Sequence, residues 1–191
     1  MNWDNIEFKG YKRYLSNMYQ TEIVFDASEE VKKEFPNIDF DGQVYQSSEH
    51  IYQMLKSLDP RWKQIIQEIE DPHKTKTAAK KELSSSGDLF GSKIVIDKDF
   101  HEKKIEYMFL IVFLKFLQNK DIRKKLVETR EEHLEERNDW RDVFWGTYNG
   151  VGKNYLGRIL MHVRDIFNGP DDYERIIDQF IKKLAIVRSW E

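Results

Sequence analysis

Two stretches carry residues able to do chemistry: the one from Ser47-Ser48-Glu49-His50 to Lys56, and the run from Leu134 to Arg164. In the first, either serine can cap a helix and leave Glu49 in its first turn. Glu49, Tyr52 or Gln53, and Lys56 then fall at i, i+3 or i+4, and i+7, on one helix face. The helix dipole favours the charged form of a first-turn carboxylate, which suits an electrostatic stabiliser or base better than a proton donor. An ordinary surface helix fits the same spacing, because acids favour first turns anyway and Lys56 would then be solvated.

The second stretch places Asp142 and Trp145 ahead of a glycine-rich turn through Gly146, Gly150 and Gly152. Asn154 stands at a helix N-cap, and Leu156, Ile159, Leu160, Val163, Ile166 and Phe167 form one apolar stripe before Asn168-Gly169 stops it. A glycine turn feeding a helix start offers unpaired N–H groups and a positive dipole end, which suits phosphate. Lys153 and Arg158 are close enough to add charge. The glycines fit a tight connection equally well. They do not make a P-loop: the spacing from Gly146 to Gly152-Lys153 is one residue too long, and Asn154 replaces the magnesium-holding Ser or Thr.

The elements that must position these residues are mostly helical. An aromatic-rich start (Phe8, Tyr14, Tyr19) precedes a short strand at Ile23-Val24-Phe25. Ser28 to Lys33 reads as a polar helical turn, and the insert from Asp26 to Asp39 carries no other signal. Phe40 to Tyr45 reads as half a hairpin turning at Asp41-Gly42. Helices are predicted over 61–69, stopped near Asp71-Pro72, and over 74–83, where Lys74, Lys76, Lys80 and Lys81 could touch phosphates but are most simply a solvated face. Ile94-Val95-Ile96 is a short strand or connector. Residues 100–118 carry an apolar stripe wide enough for a central core helix. Shorter helices follow over 121–129 and after Gly169-Pro170, the last with Tyr173, Ile176, Ile177, Phe180, Ile181 and Leu184 inward.

With 191 residues, 40% apolar and 14% aromatic, the chain suits one domain with a real core. A net charge of −3 supplies no overall basic field, so nucleic acid would need a local patch. There are no cysteines, which excludes disulfides, thiol nucleophiles and cysteine metal sites. No histidine pair has ligand spacing and no serine sits in a hydrolase elbow, so neither a metal nor a cofactor is expected. No leader or membrane span is evident, and the expected location is cytoplasmic.

An ordered set of residues resembles the NADAR family of YbiA-like N-glycosidases over about residues 8 to 167. It comprises Tyr14 to Tyr19 with Asn17, Asp41-Gly42 with Tyr45, Ser48-Glu49-His50 through Tyr52-Gln53 to Lys56, and Lys115-Phe116 with Gln118. It continues through Leu126, Thr129, Glu136, Asn138, Trp140, Asp142, Phe144-Trp145-Gly146, Gly152, Asn154, Leu156-Gly157, Leu160-Met161 and Val163-Arg164. Arg130 and Arg137 depart from the pattern, standing where glycine is usual, and the insert at 26–39 is longer than common.

The resemblance implies a compact, predominantly helical α+β domain with a few short strands near the N-terminus, spanning 1–191, with 170–191 a helix packed on it. It further implies cleavage of an N-glycosidic bond to a phosphorylated ribose, either in ribosylamino-pyrimidine intermediates of riboflavin synthesis or in ADP-ribose on guanine in nucleic acid. Positive charge grows at ribose C1 as that bond breaks, and Glu49 is the first choice to stabilise it. Asp142 would orient or deprotonate water or hold ribose hydroxyls. Lys56 would protonate the leaving group or trap an opened ribose as an imine. Trp140 and Trp145 would stack on the base, and Gly146, Gly152, Asn154 and Arg158 would hold phosphate; Asn17, Ser48 and Tyr52 complete the expected substrate contacts. A non-catalytic module that binds ADP-ribose or NAD is the alternative, though it would not need Glu49, Lys56 and Asp142 together.

Overall fold

Residues 100–118 form one unbroken helix in which every residue from Tyr107 to Phe116 is buried. A helix apolar on all sides is stable only at the centre of a fold. The computed structural model describes residues 10–87 and 91–190, so Phe8 lies outside the described residues. A 3-10 turn at Gly10–Leu15 leads to β1 (Ile23–Val24), α1 (Glu29–Glu34), β2 (Val44–Tyr45) and α2 (Ser48–Met54). After them come α3 (Pro60–Gln67), α4 (Pro72–Glu82), β3 (Leu83–Ser84) and β4 (Ile94–Val95). The central helix is α5 (Phe100–Gln118), followed by α6 (Lys120–Glu128), α7 (Tyr155–Phe167) and α8 (Tyr173–Val187).

Helices α2, α6, α7 and α8, together with β1, surround α5, giving the helix-dominated α+β architecture expected from the sequence. Phe109 stacks on Phe180 at 5.1 Å and Phe113 on Phe167 at 5.8 Å, so the aromatic stripe of α5 is buried under α7 and α8. Among the described residues no helix is long and apolar enough to cross a membrane.

Several local expectations change once partners are visible. Asp41-Gly42 does turn the chain, with Gly42 at φ 66 and the Asp41 carboxylate accepting from Gln43 N. It does not join two adjacent hairpin strands, because β2 pairs antiparallel with β1, on the far side of α1 (Ile23 opposite Tyr45). A second pair, β3 with β4, is parallel and lies in mid-chain rather than near the N-terminus. Asp71-Pro72 starts α4 instead of stopping α3: Asp71 accepts from His73 N, and Pro72 occupies a first-turn position whose N–H would be unpaired anyway.

Tyr173 is exposed, while Val187 takes an inward position on α8. The segment at 26–39 is part of the core. It contains α1, buries Val31 and Phe35, and packs on α8, where Phe35 meets Phe180 at 6.5 Å. Arg188 then bridges Glu34 and Glu106, each at 2.7 Å.

Candidate functional site

Four walls enclose a cavity of about 1020 Å³. The first is α2 with the turn after it, supplying Glu49, Tyr52, Gln53 and Lys56 at the predicted spacing. Ser47, not Ser48, caps this helix, accepting from His50 N. The His50 ring sits between Ser47 Oγ (2.7 Å) and Ile69 O (2.9 Å). A carbonyl only accepts, so His50 carries its proton on Nε2 and receives the serine hydroxyl at Nδ1; burial lowers its pKa and favours this neutral form. His50 is therefore a structural lock at the helix start. Ser48 is fully buried and does not line the cavity, because one residue along a helix turns the side chain about 100° away from Glu49.

Glu49 is only 3% exposed. Its Oε1 accepts from Gln53 Nε2 at 2.6 Å and lies 3.9 Å from Lys76 Nζ. Lys56 Nζ finds no hydrogen-bond partner among the described residues and rests 5.6 Å from the Tyr52 ring and 5.9 Å from Phe100. Burial pushes its pKa below the usual lysine range; Glu49 opposes this and Lys76 adds to it. Burial likewise raises the Tyr52 hydroxyl, with Glu49 assisting.

The second wall is the segment after the 3-10 turn, with Asn17, Met18 and Tyr19. It is tied to α2 by Glu49 N donating to Asn17 O and to α5 by Lys115 Nζ donating to Ser16 O at 2.9 Å. Burial lowers Lys115 to a pKa of about 7. Within this cavity, Asn17 Oδ1 and Gln53 Oε1 are buried acceptors with no donor from the described protein. Such atoms call for a water or a ligand hydroxyl.

The third wall is α4, where His73, Lys76 and Lys80 repeat at i, i+3 and i+7. The lysine run thus divides: Lys76 and Lys80 line the cavity, whereas Lys74 and Lys81 do not. The fourth is irregular and carries Glu136, Trp140, Asp142 and Trp145. Asp142 Oδ1 accepts from both Phe144 N and Trp145 N at 2.9 Å, which fixes its carboxylate. Trp145 meets Tyr52 edge-on at 5.5 Å, while Trp140 is 59% exposed at the cavity rim. Met108 of α5 closes the lining.

The glycine turn, Asn154 and Arg158 are not brought to this cavity. The N–H groups expected to bind phosphate are already used: Lys153, Asn154, Tyr155 and Leu156 donate to the carbonyls of Val143, Gly146, Phe144 and Trp145. The Asn154 side chain spans Glu136 N and Leu134 O rather than capping α7, with its backbone at φ 49. Arg158 lies 3.8 Å over the Trp190 ring, and Lys153 faces the Phe144 and Tyr155 rings.

Gly146 and Gly152 permit close backbone approach instead. A Cβ on Gly146 would stand 2.0 Å from Glu136 O, and one on Gly152 2.3 Å from Gly146 O. Gly146→Ala is therefore expected to lower the unfolding free energy by roughly 2–3 kcal/mol, measured by urea denaturation. A loss under about 0.5 kcal/mol would show that the segment carrying Glu136 yields freely.

Glu136, Gln53 and His73 are cavity residues to which sequence reasoning gave no role, and Lys76 was offered only as one of four lysines able to touch phosphate. The periodicity of α4 was a usable signal for His73 and Lys76. Glu136 stands in irregular chain, where no period marks a facing direction.

The NADAR domain profile matches residues 7–168, which contain all four walls. The chain belongs to the NADAR family. A riboflavin biosynthesis protein from Vibrio vulnificus is 32% identical over 155 residues, covering 81% of this chain but only 39% of that protein. The N-glycosidase YbiA of Shigella boydii is 30% identical over 154 residues, covering 78% of this chain and 89% of its own. The NMR structure of Escherichia coli YbiA superposes with a TM-score of 0.64 at 25% identity, covering 84% of this chain and 81% of that one. The NADAR match ends at 168, so α8 lies beyond it.

Proposed function

We propose that this NADAR protein is an N-glycosidase that hydrolyses the bond between C1 of a phosphorylated ribose and a nitrogen. The observation that carries this reading is the convergence of Glu49, Asp142 and a desolvated Lys56 on one cavity with cationic side chains along its α4 wall. Glu49, fixed by Gln53, stabilises the positive charge that grows at C1. Asp142, held by two backbone N–H groups, orients or deprotonates the attacking water or binds ribose hydroxyls. Lys56 has two tasks open to it, protonating the leaving group or forming an imine with the opened ribose. Desolvation favours the neutral amine and so supports the imine.

Since the start of α7 is unavailable to an anion, phosphate falls to Arg13, His73, Lys76 and Lys80. Asn17 contributes an acceptor for a ribose hydroxyl. Tyr52 and Trp145 pack against the ring system, and the exposed Trp140 offers a face to the base. The cavity is roomy enough for a nucleotide-sized ligand, which accommodates both substrate classes that the family resemblance suggests.

The test is a side-by-side assay on a ribosylamino-uracil phosphate and an oligonucleotide bearing ADP-ribosyl-guanine, with release followed by mass spectrometry. Release from the first alone makes this a metabolite-clearing glycosidase, and from the second alone a nucleic-acid de-ADP-ribosylase. Tight ADP-ribose binding without cleavage of either would replace the enzyme reading with a binding module.

A further inference from the structure

Breaking a C1–N bond leaves the bonding electron pair on nitrogen, and a neutral heterocycle or amine departs readily only if a proton arrives with it. Glu49 and Asp142 are each held through one oxygen as hydrogen-bond acceptors, which suits a charge stabiliser and a base better than a proton donor. Glu49 Oε1 accepts from Gln53, and Asp142 Oδ1 accepts from two backbone N–H groups. Glu136 differs from both. It lines the cavity, yet its carboxyl makes no hydrogen bond or ion pair with the other described residues.

Its backbone is nonetheless rigidly placed. Glu136 N donates to Asn154 Oδ1 at 3.0 Å, and its carbonyl accepts from Thr147 N at 2.8 Å. Gly146 packs so closely that no Cβ would fit beside that carbonyl. Asn154, Thr147 and Gly146 thus fix the backbone of a residue whose carboxyl is left for a ligand. Resting on the N-glycosidase reading, we propose that Glu136 is the general acid that hands the proton to the departing nitrogen.

The step balances without a further reagent. The C1–N bond breaks, its electron pair goes to nitrogen, and the Glu136 O–H proton joins that pair. Water forms the new C1–O bond and gives its proton to Asp142, from which solvent returns it to Glu136. The net change is glycoside plus water to free ribose plus the N–H base. If Lys56 forms an imine first, the nitrogen still needs the same proton.

The surroundings favour the acid form. Burial raises the Glu136 pKa to about 7, Asp142 and then Glu49 of α2 assist, and Lys76 of α4 opposes. Lys56, Lys80, His73 and Arg13 complete the charged groups of the cavity. Since the protonated form is the active one, kcat/KM falls tenfold per pH unit above an apparent pKa near 7.

The experiment compares wild type, Glu136→Gln and Glu136→Asp on two N-ribosyl phosphates, one with a poorly acidic leaving nitrogen and one with an electron-poor nitroaniline. For Glu136→Gln, kcat is expected to drop about a hundredfold on the first and less than tenfold on the second, with the alkaline limb abolished. Glu136→Asp should keep the limb at a reduced rate.

A readout independent of turnover is thermal unfolding. The raised folded-state pKa means that ionising Glu136 costs native stability as pH rises from about 5 to 7. The Tm of Glu136→Gln minus that of wild type should therefore grow across that window. Wild-type rates, an unchanged alkaline limb in Glu136→Gln, or a flat Tm difference would each overturn the assignment. Wild-type protein inert on every N-ribosyl phosphate would instead overturn the glycosidase reading itself, before any variant is compared.

Discussion

Glu49→Gln is expected to reduce kcat for N-glycoside cleavage by about a thousandfold or more while leaving the fold intact. The substitution removes charge and little else. Glutamine keeps the shape of the side chain and an acceptor for Gln53 Nε2, which now sits 2.6 Å from Glu49 Oε1. The cap at Ser47 and the lock on His50 are untouched, so the unfolding free energy should move by no more than about 1–2 kcal/mol. The loss arises because a buried carboxylate is worth far more beside a developing cation than it would be in water. Single-turnover kinetics paired with urea denaturation separate the two effects. Rates within tenfold of wild type would remove Glu49 from the chemistry, and lost cooperativity would reassign it to the fold.

The second large effect concerns a residue that does not line the cavity. Phe180 of α8 is fully buried, stacked on Phe109 at 5.1 Å and in contact with Phe113 at 4.3 Å and Phe35 at 6.5 Å. Phe180→Ala should cost about 3–5 kcal/mol through lost apolar burial and the void left behind. For a chain of this size that lowers Tm by roughly 10 °C. The NADAR match stops before α8, yet Phe180 of α8 and Phe35, just after α1 and within the match, share one aromatic cluster. Phe35 also meets Tyr107 of α5 at 6.4 Å, so both rings pack on the central helix. A change below about 1 kcal/mol would mean that α8 is an appendage rather than part of the core.

Much of this arrangement was legible in the residues. The stripe from Ile105 to Leu117 identified the central helix because a helix buried on all sides must be apolar on all sides. The spacing of Glu49, Tyr52, Gln53 and Lys56 placed them on one face because helical geometry is local. Capping was half legible at the start of α2, where either serine could serve and Ser47 does, accepting from His50 N. Arg130 was recognisable as standing where glycine is usual, and it holds φ 48, a left-handed conformation that glycine adopts without strain.

Tertiary structure alone decided what lies opposite each local pattern. The glycine turn before α7 looked like an anion site because its N–H groups were unpaired in sequence. In the fold, the carbonyls of residues 143–146 take them, and the glycines serve close packing. The lysine run of α4 looked most simply like solvated surface, but in the fold Lys76 and Lys80 line the cavity and Lys76 stands 3.9 Å from Glu49. Glu136 had no period to announce it, and its unspent carboxyl emerged only when Asn154, Thr147 and Gly146 closed around its backbone. Residue type and spacing determine which groups can act and on which face of an element they stand. Which groups meet, and which donors remain unspent, depends on contacts between distant segments, and only the folded chain creates those.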